Sequence, residues 1–168
     1  DENLKVNPDV LKAQKRGVKF DLGHAGRSFV YRAIVPAIEQ GFLPDAISSA
    51  LFNVTPSTTG ISLTNIMSKF LSMDVPLEEI IRRTTVNPAR IINHPELGSL
   101  SVGADADIAV LETVRGNFAY SGTSYRGKGG GKITGDRKIQ CVMTLFGGEI
   151  VYDHPYGLSL PLWEDIPK

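Results

Sequence analysis

The residue best suited to chemistry is His24, set in the stretch "FDLGHAGRSF" (residues 20–29), where a short apolar run gives way to glycines. A neutral imidazole at the end of a strand can ligate a metal, move a proton or hydrogen-bond a substrate. On its own, a histidine at a strand end is more often a hydrogen-bonded core or loop residue than a ligand. The other two histidines, His94 in "NHPEL" and His154 in "DHPYG", each precede a proline and read as surface turn residues. Asp105 and Asp107 in "GADADIAVL" lie i, i+2, a spacing that puts two carboxylates on one strand face, but the surrounding turn residues favour turn and cap roles. Cys141 is the lone cysteine, inside the apolar run "IQCVMTLF", and reads as a buried structural thiol in a reducing compartment.

Composition narrows the class. Of 168 residues, 42% are hydrophobic and 21% charged, an ordinary globular balance. Basic and acidic residues are equal at 18 each, so no net field recruits nucleic acid or an anionic membrane, and neither is expected as a partner. No apolar run approaches the ~20 residues of a membrane span, and "DENLKVNPDV" lacks the basic start and apolar middle of a signal peptide. The expected location is therefore cytoplasmic. A start at Asp1 rather than Met is expected of a piece of something longer.

The elements that must position His24 follow from periodicity. "PDVLKAQKR" (8–16) predicts a helix with Pro at its start and Gly17 as its stop. "VKFDLG" (18–23) predicts a strand, "SFVYRAIVPAIEQG" (28–41) a helix, and "LPDAISSALF" (43–52) a second strand. In "SLTNIMSKFLSMDVP", Leu63, Ile66, Met67, Phe70 and Leu71 fall on one helical face and read as core. "PLEEIIRRTTVNPARIIN" (76–93) predicts one helix opened by Pro76, with Glu78 and Glu79 early and Arg82 and Arg83 late, as the helix dipole prefers. Beyond Gly98, "GSLSVGADADIAVLETV", "KIQCVMTLF" and "GEIVYD" predict antiparallel strands. The Gly-rich, basic "YSGTSYRGKGGGKITG" (120–135) between them is expected to be a mobile surface loop rather than a phosphate cradle, since it leads into a strand and not a helix.

Taken in order, "FDLGHAGRSF", "GFLPDAISS", "MSKFLSMDVPLEEIIRRTTVNPAR" and "LGSLSVGADADIAVL" resemble the C-terminal half of the amidohydrolase superfamily, and more narrowly its dihydroorotase-like, deacetylase branch. The resemblance implies an α/β fold: the C-terminal part of a (β/α)8 TIM barrel, followed by strands of a small β-sandwich domain. Residues 1–95 would supply the last strand-helix units and residues 96–168 the sandwich strands and a C-terminal extension. It further implies a metal-dependent hydrolase in which one or two divalent ions, usually zinc, activate a hydroxide that attacks the amide or ester carbonyl of a small-molecule substrate. In that family the ions are held by two His of an early strand, a carboxylated Lys, two further His and a last-strand Asp that also shuttles the proton. His24 corresponds to a later-strand metal ligand, and Arg27 and Ser28 lie where the loop meets the next helix, suited to contact with substrate.

Two features depart from that pattern. The last-strand sequence is "ISSALF", so Ala50 stands where the proton-shuttling Asp is expected and Phe52 where a His often follows. A methyl group neither binds a cation nor moves a proton. Asp45 begins that strand about five residues earlier, on the order of 16 Å away if extended, at the wrong end to substitute. No H-x-H occurs either, and a complete TIM barrel takes about 250 residues, so this chain by itself cannot assemble a three-ligand zinc site. Zinc is thus expected only with the rest of the barrel, supplied by a missing N-terminal part or by a homo-oligomer covering the open sheet edges. The alternative is a catalytically inactive binding or assembly module using the basic loop around Arg126, Lys128 and Lys132.

Overall fold

The computed structural model describes residues 4–24, 28–50, 62–123 and 130–154. Helix α1 (Pro8–Lys15) begins as the sequence predicts, with Pro8 in its first turn and the Asn7 side chain accepting from the Asp9 N–H at 2.9 Å. Strand β1 (Asp21–Leu22) leads to α2 (Tyr31–Glu39), and β2 (Ala46–Ile47) to α3 (Leu63–Leu71). The two strands are parallel, pairing Asp21 with Ala46 and Leu22 with Ile47. Both are much shorter than their sequence patterns because, among the described residues, each has the other as its one neighbour, and an extended chain without partners forms no further ladder.

The helix expected over 76–93 is two helices, α4 (Leu77–Thr84) and α5 (Val86–Ile91), broken at Thr85 with φ −129° and ψ −86°. Pro88 has no N–H to return to the preceding turn, so the ladder cannot run through it. In the last turn of α4 the hydroxyls of Thr84 and Thr85 add donors to the Ile80 and Ile81 carbonyls.

Three antiparallel strands follow, β3 (Ile108–Ser121), β4 (Lys132–Phe146) and β5 (Glu149–Asp153), in the order β3-β4-β5. The β4–β5 connection is Gly147-Gly148 with both φ positive, 57° and 85°, the two-residue turn that matches strand twist. The loop expected over 120–135 shrinks, since β3 continues to Ser121 and β4 starts at Lys132 with Ser121 opposite it. Arg126 and Lys128 lie outside the described residues. Among those described there is one antiparallel sheet and no second layer facing it as a sandwich would require.

The sheet packs on α3, and both share one core of Phe29, Tyr31, Ile34, Ile47, Ile66, Phe70, Ile80 and Ile139. A polar stitch fixes their register. The fully buried Ser68 of α3 accepts the Ile139 N–H of β4 at 2.9 Å and donates to Thr64 O at 2.7 Å. Ser68→Ala would leave that buried N–H unsatisfied, so we expect a loss of about 1–3 kcal/mol in denaturant unfolding; an unchanged midpoint would show that the stitch carries no stability.

Candidate functional site

His24 follows Gly23 directly beyond the C-terminal end of β1 and is buried, 6% exposed. Its ring stacks on Phe29, centroids 5.2 Å apart and planes at 27°. Phe29 is in turn held edge-on by Tyr31 and Phe70. The imidazole Nε2 lies 2.5 Å from the Nζ of Lys69, a residue of α3 that is itself only 3% exposed. Lys69 also donates to the Ser121 carbonyl at 2.6 Å and sits 4.9 Å from the Phe29 ring centroid. The site thus gathers the ends of β1 and β3 around one lysine of α3.

Two structural facts set its electrostatics. Burial lowers the Lys69 amine from the ordinary lysine value of 10.5 to about 8, and burial followed by the Lys69 charge lowers the His24 imidazole below its ordinary 6.5. At neutral pH His24 is therefore neutral and Lys69 mostly charged. A charged amine has three donors and no acceptor, so Nε2 must accept and the ring proton sits on Nδ1. Nδ1 is buried and has no hydrogen-bond partner among the described residues.

The structure brings Ala50 to this site. A Cβ on Gly23 would lie 2.6 Å from Ala50 Cβ and 3.2 Å from Ser48 Oγ, so the backbone just before His24 runs against the end of the strand that carries Ala50. Ala50 is exposed with φ +47°, a left-handed conformation that costs an ordinary L-residue roughly 1–2 kcal/mol and that Asp and Asn adopt more readily. Ser28 is exposed in the turn before α2, whose N-cap residue is Val30. Arg27 and Phe52 lie outside the described residues.

The remaining polar candidates have structural work. Asp45 accepts from Lys19 Nζ at 3.0 Å and the Phe20 N–H at 3.1 Å. Burial acts to raise its carboxyl, but these bonds and the charges of Lys19 and Arg83 outweigh that and hold it below the carboxylate range. Asp107 accepts the Gly147 N–H at 2.8 Å, closing the hairpin as a cap. His94 is an exposed turn residue against Glu96. His154, expected in a surface turn, is instead half-buried and extends the sheet, donating its N–H to Val142 O at 2.8 Å. Cys141 is half-buried, near Met143 O and Thr144 Oγ1. Lys69 is the site residue that the sequence reading missed. Its position on the apolar face of α3, between Ile66 and Phe70, was the available signal, because a lysine there must be buried or break the stripe.

These residues do not fit a metal centre by themselves. Nε2 faces the Lys69 amine, and among the described residues no three His, Cys, Asp or Glu side chains come together.

The amidohydrolase family model matches residues 57–152, more than half of the chain. The chain belongs to the amidohydrolase family. A deacetylase of Brucella anthropi is 38% identical over 98 residues, which cover 58% of this chain and 24% of that protein. Among solved structures, an adenine deaminase superposes with a TM-score of 0.79 at 25% identity, and a dihydroorotase with 0.72 at 26%. Each covers 89% of this chain, which in turn spans 39% and 40% of theirs. This amidohydrolase chain therefore represents well under half the length of the relatives it resembles. No helix among the described residues is long and apolar enough to cross a membrane.

The buried lysine makes stability depend on pH. Its folded pKa of about 8 lies below the unfolded 10.5, so between those values the unfolded chain binds more protons and stability rises with pH. In Lys69→Met, thermal unfolding should lose that rise between pH 8 and 10.5; an identical pH profile in both proteins would mean Lys69 is not perturbed.

Proposed function

We propose that this chain is the C-terminal part of a hydrolase that cleaves an amide or acetyl ester of a small polar substrate, with β1-α2 and β2-α3 as closing units of a (β/α)8 barrel and β3–β5 as part of a small sandwich. The observation that carries the reading is the convergence of His24 and the Ala50 position at adjacent strand ends, within a chain of the amidohydrolase family. The resemblance to deacetylases supports an acyl group as the part removed. The family's divalent ion, zinc by the resemblance, would need donors from outside the described residues, supplied by the remaining barrel strands or a second copy of the chain.

In this reading the methyl group of Ala50 leaves the site without the carboxylate that would receive and deliver the proton. General acid/base groups typically supply about 100-fold to 10,000-fold in rate, so the protein as it stands would turn over slowly or not at all. Ala50 is also the observation that favours a second reading, a catalytically inactive binding or assembly module. Of that module's basic residues, Lys132 sits at the start of β4.

The deciding experiment places Ala50→Asp in the full-length polypeptide that carries this chain. The left-handed backbone at residue 50 accepts Asp without added strain. We expect kcat/KM for N-acetyl or O-acetyl substrates to rise by about 100-fold or more. A folded, metal-loaded Ala50→Asp protein that hydrolyses neither would sink the hydrolase reading in favour of the binding module.

A further inference from the structure

The antiparallel sheet leaves apolar surface uncovered at its hairpin end. There Ile108, Ala109, Thr144, Leu145, Phe146 and Val151 line an open groove of about 420 Å³. Phe146 is 68% exposed and Val151 60%. Apolar residues scattered singly over a surface need no partner, but a concave apolar groove with two large side chains standing in water gains stability when something covers it. Asp107 is the one charged residue of its lining, and its carboxylate already accepts the Gly147 N–H. What the groove offers an occupant is therefore apolar contact.

The chain itself carries a segment that matches. Strand β5 ends at Asp153, opposite Met143, and the His154 N–H donates to Val142 O at 2.8 Å. Residues 155–168 thus set out from beside β4, at a point that lies about 13 Å along an extended strand from Phe146. At ~3.3 Å per residue they reach several times that distance. Leu158, Leu160 and Leu162 alternate with Ser159 and Pro161, so in an extended chain the three leucines share one side, and Trp163, the one tryptophan of this sequence, follows them. Pro161 has no N–H to give to a ladder, which suits a segment laid across a sheet face better than one paired within the sheet. A tethered segment also meets the groove at an effective concentration on the order of millimolar, an advantage that a separate molecule lacks.

We propose that residues 158–163 occupy this groove, with the leucines and Trp163 against Phe146 and Val151, so that the C-terminal segment closes the open surface at the β4–β5 hairpin. The inference concerns the sheet and not the strand ends around His24, and it stands or falls independently of the hydrolase reading.

The test uses the full-length polypeptide carrying this chain and reads Trp163 as the difference in fluorescence between the parent and Trp163→Phe. In the parent we expect the short-wavelength emission of an indole shielded from water and weak quenching by acrylamide. Phe146→Asp puts a charge into the groove at an exposed position, and it should move the Trp163 emission to long wavelength and raise its quenching. As a second measurement, p-benzoylphenylalanine incorporated at Phe146 exchanges one aromatic group for another without threatening the fold. On irradiation it should cross-link to residues 158–163, read by mass spectrometry.

Long-wavelength, fully quenched Trp163 emission in the parent would overturn the proposal, as would shielded emission that Phe146→Asp leaves unchanged. If Phe146→Asp does not fold, the cross-link decides, and one that maps elsewhere in the polypeptide overturns the proposal. A cross-link between two copies, with Trp163 emission that shifts on dilution, would assign the groove to a second copy of the chain instead.

Discussion

A lysine ammonium taken out of water on α3 must find oxygen or nitrogen acceptors within its reach, and the two it finds come from distant parts of the chain. One is the imidazole at the end of β1 and the other the last carbonyl of β3, 45 and 52 residues away in sequence. Because an unsatisfied buried charge costs far more than a neutral contact gains, this one side chain obliges the strand-helix half and the antiparallel sheet to meet at a fixed point. The surrounding polar bonds agree with it. Tyr31 OH donates to Tyr120 O at 3.0 Å, and the Thr123 N–H to Phe29 O at 2.7 Å, so the end of β3 is tied to the turn after His24 from both sides.

Around that point the packing is apolar and continuous. Phe29, Phe70 and Ile66 are fully buried and span the boundary between the two halves, joined there by Ile139 of β4. The sheet is thus no loosely tethered appendage. Its middle strand lies against α3 closely enough that a Cβ on Gly135 would fall 2.1 Å from Ser72 Oγ, which leaves glycine as the residue that fits. Packing at this density transmits position, and it is what lets a buried pair such as His24 and Lys69 keep a defined geometry.

The site rests on this rigid support. Amidohydrolase relatives share the arrangement of elements, and this chain retains the strand ends, the glycine that lets them approach and a buried imidazole. Ala50 there has a left-handed backbone, φ +47°.

The amino-acid sequence by itself determined most of the element order. Periods of 3.6 and 2 residues, the Pro8 start, the Gly147-Gly148 turn and the ordered motifs identify helices, strands and family, because these signals are local and are written in neighbouring residues. It also singled out Ala50, since the family pattern it resembles leads one to expect a carboxylate there. The break at Thr85 was legible in Pro88 but was hidden by the continuous helical pattern around it. Lys69 could not be read as part of the site, because its partners lie 45 and 52 residues away and a lysine on an apolar stripe is equally compatible with reaching solvent. Only the tertiary structure decided that it points inward, where the cost of burying a charge selects the few acceptors that the folded chain can bring to it.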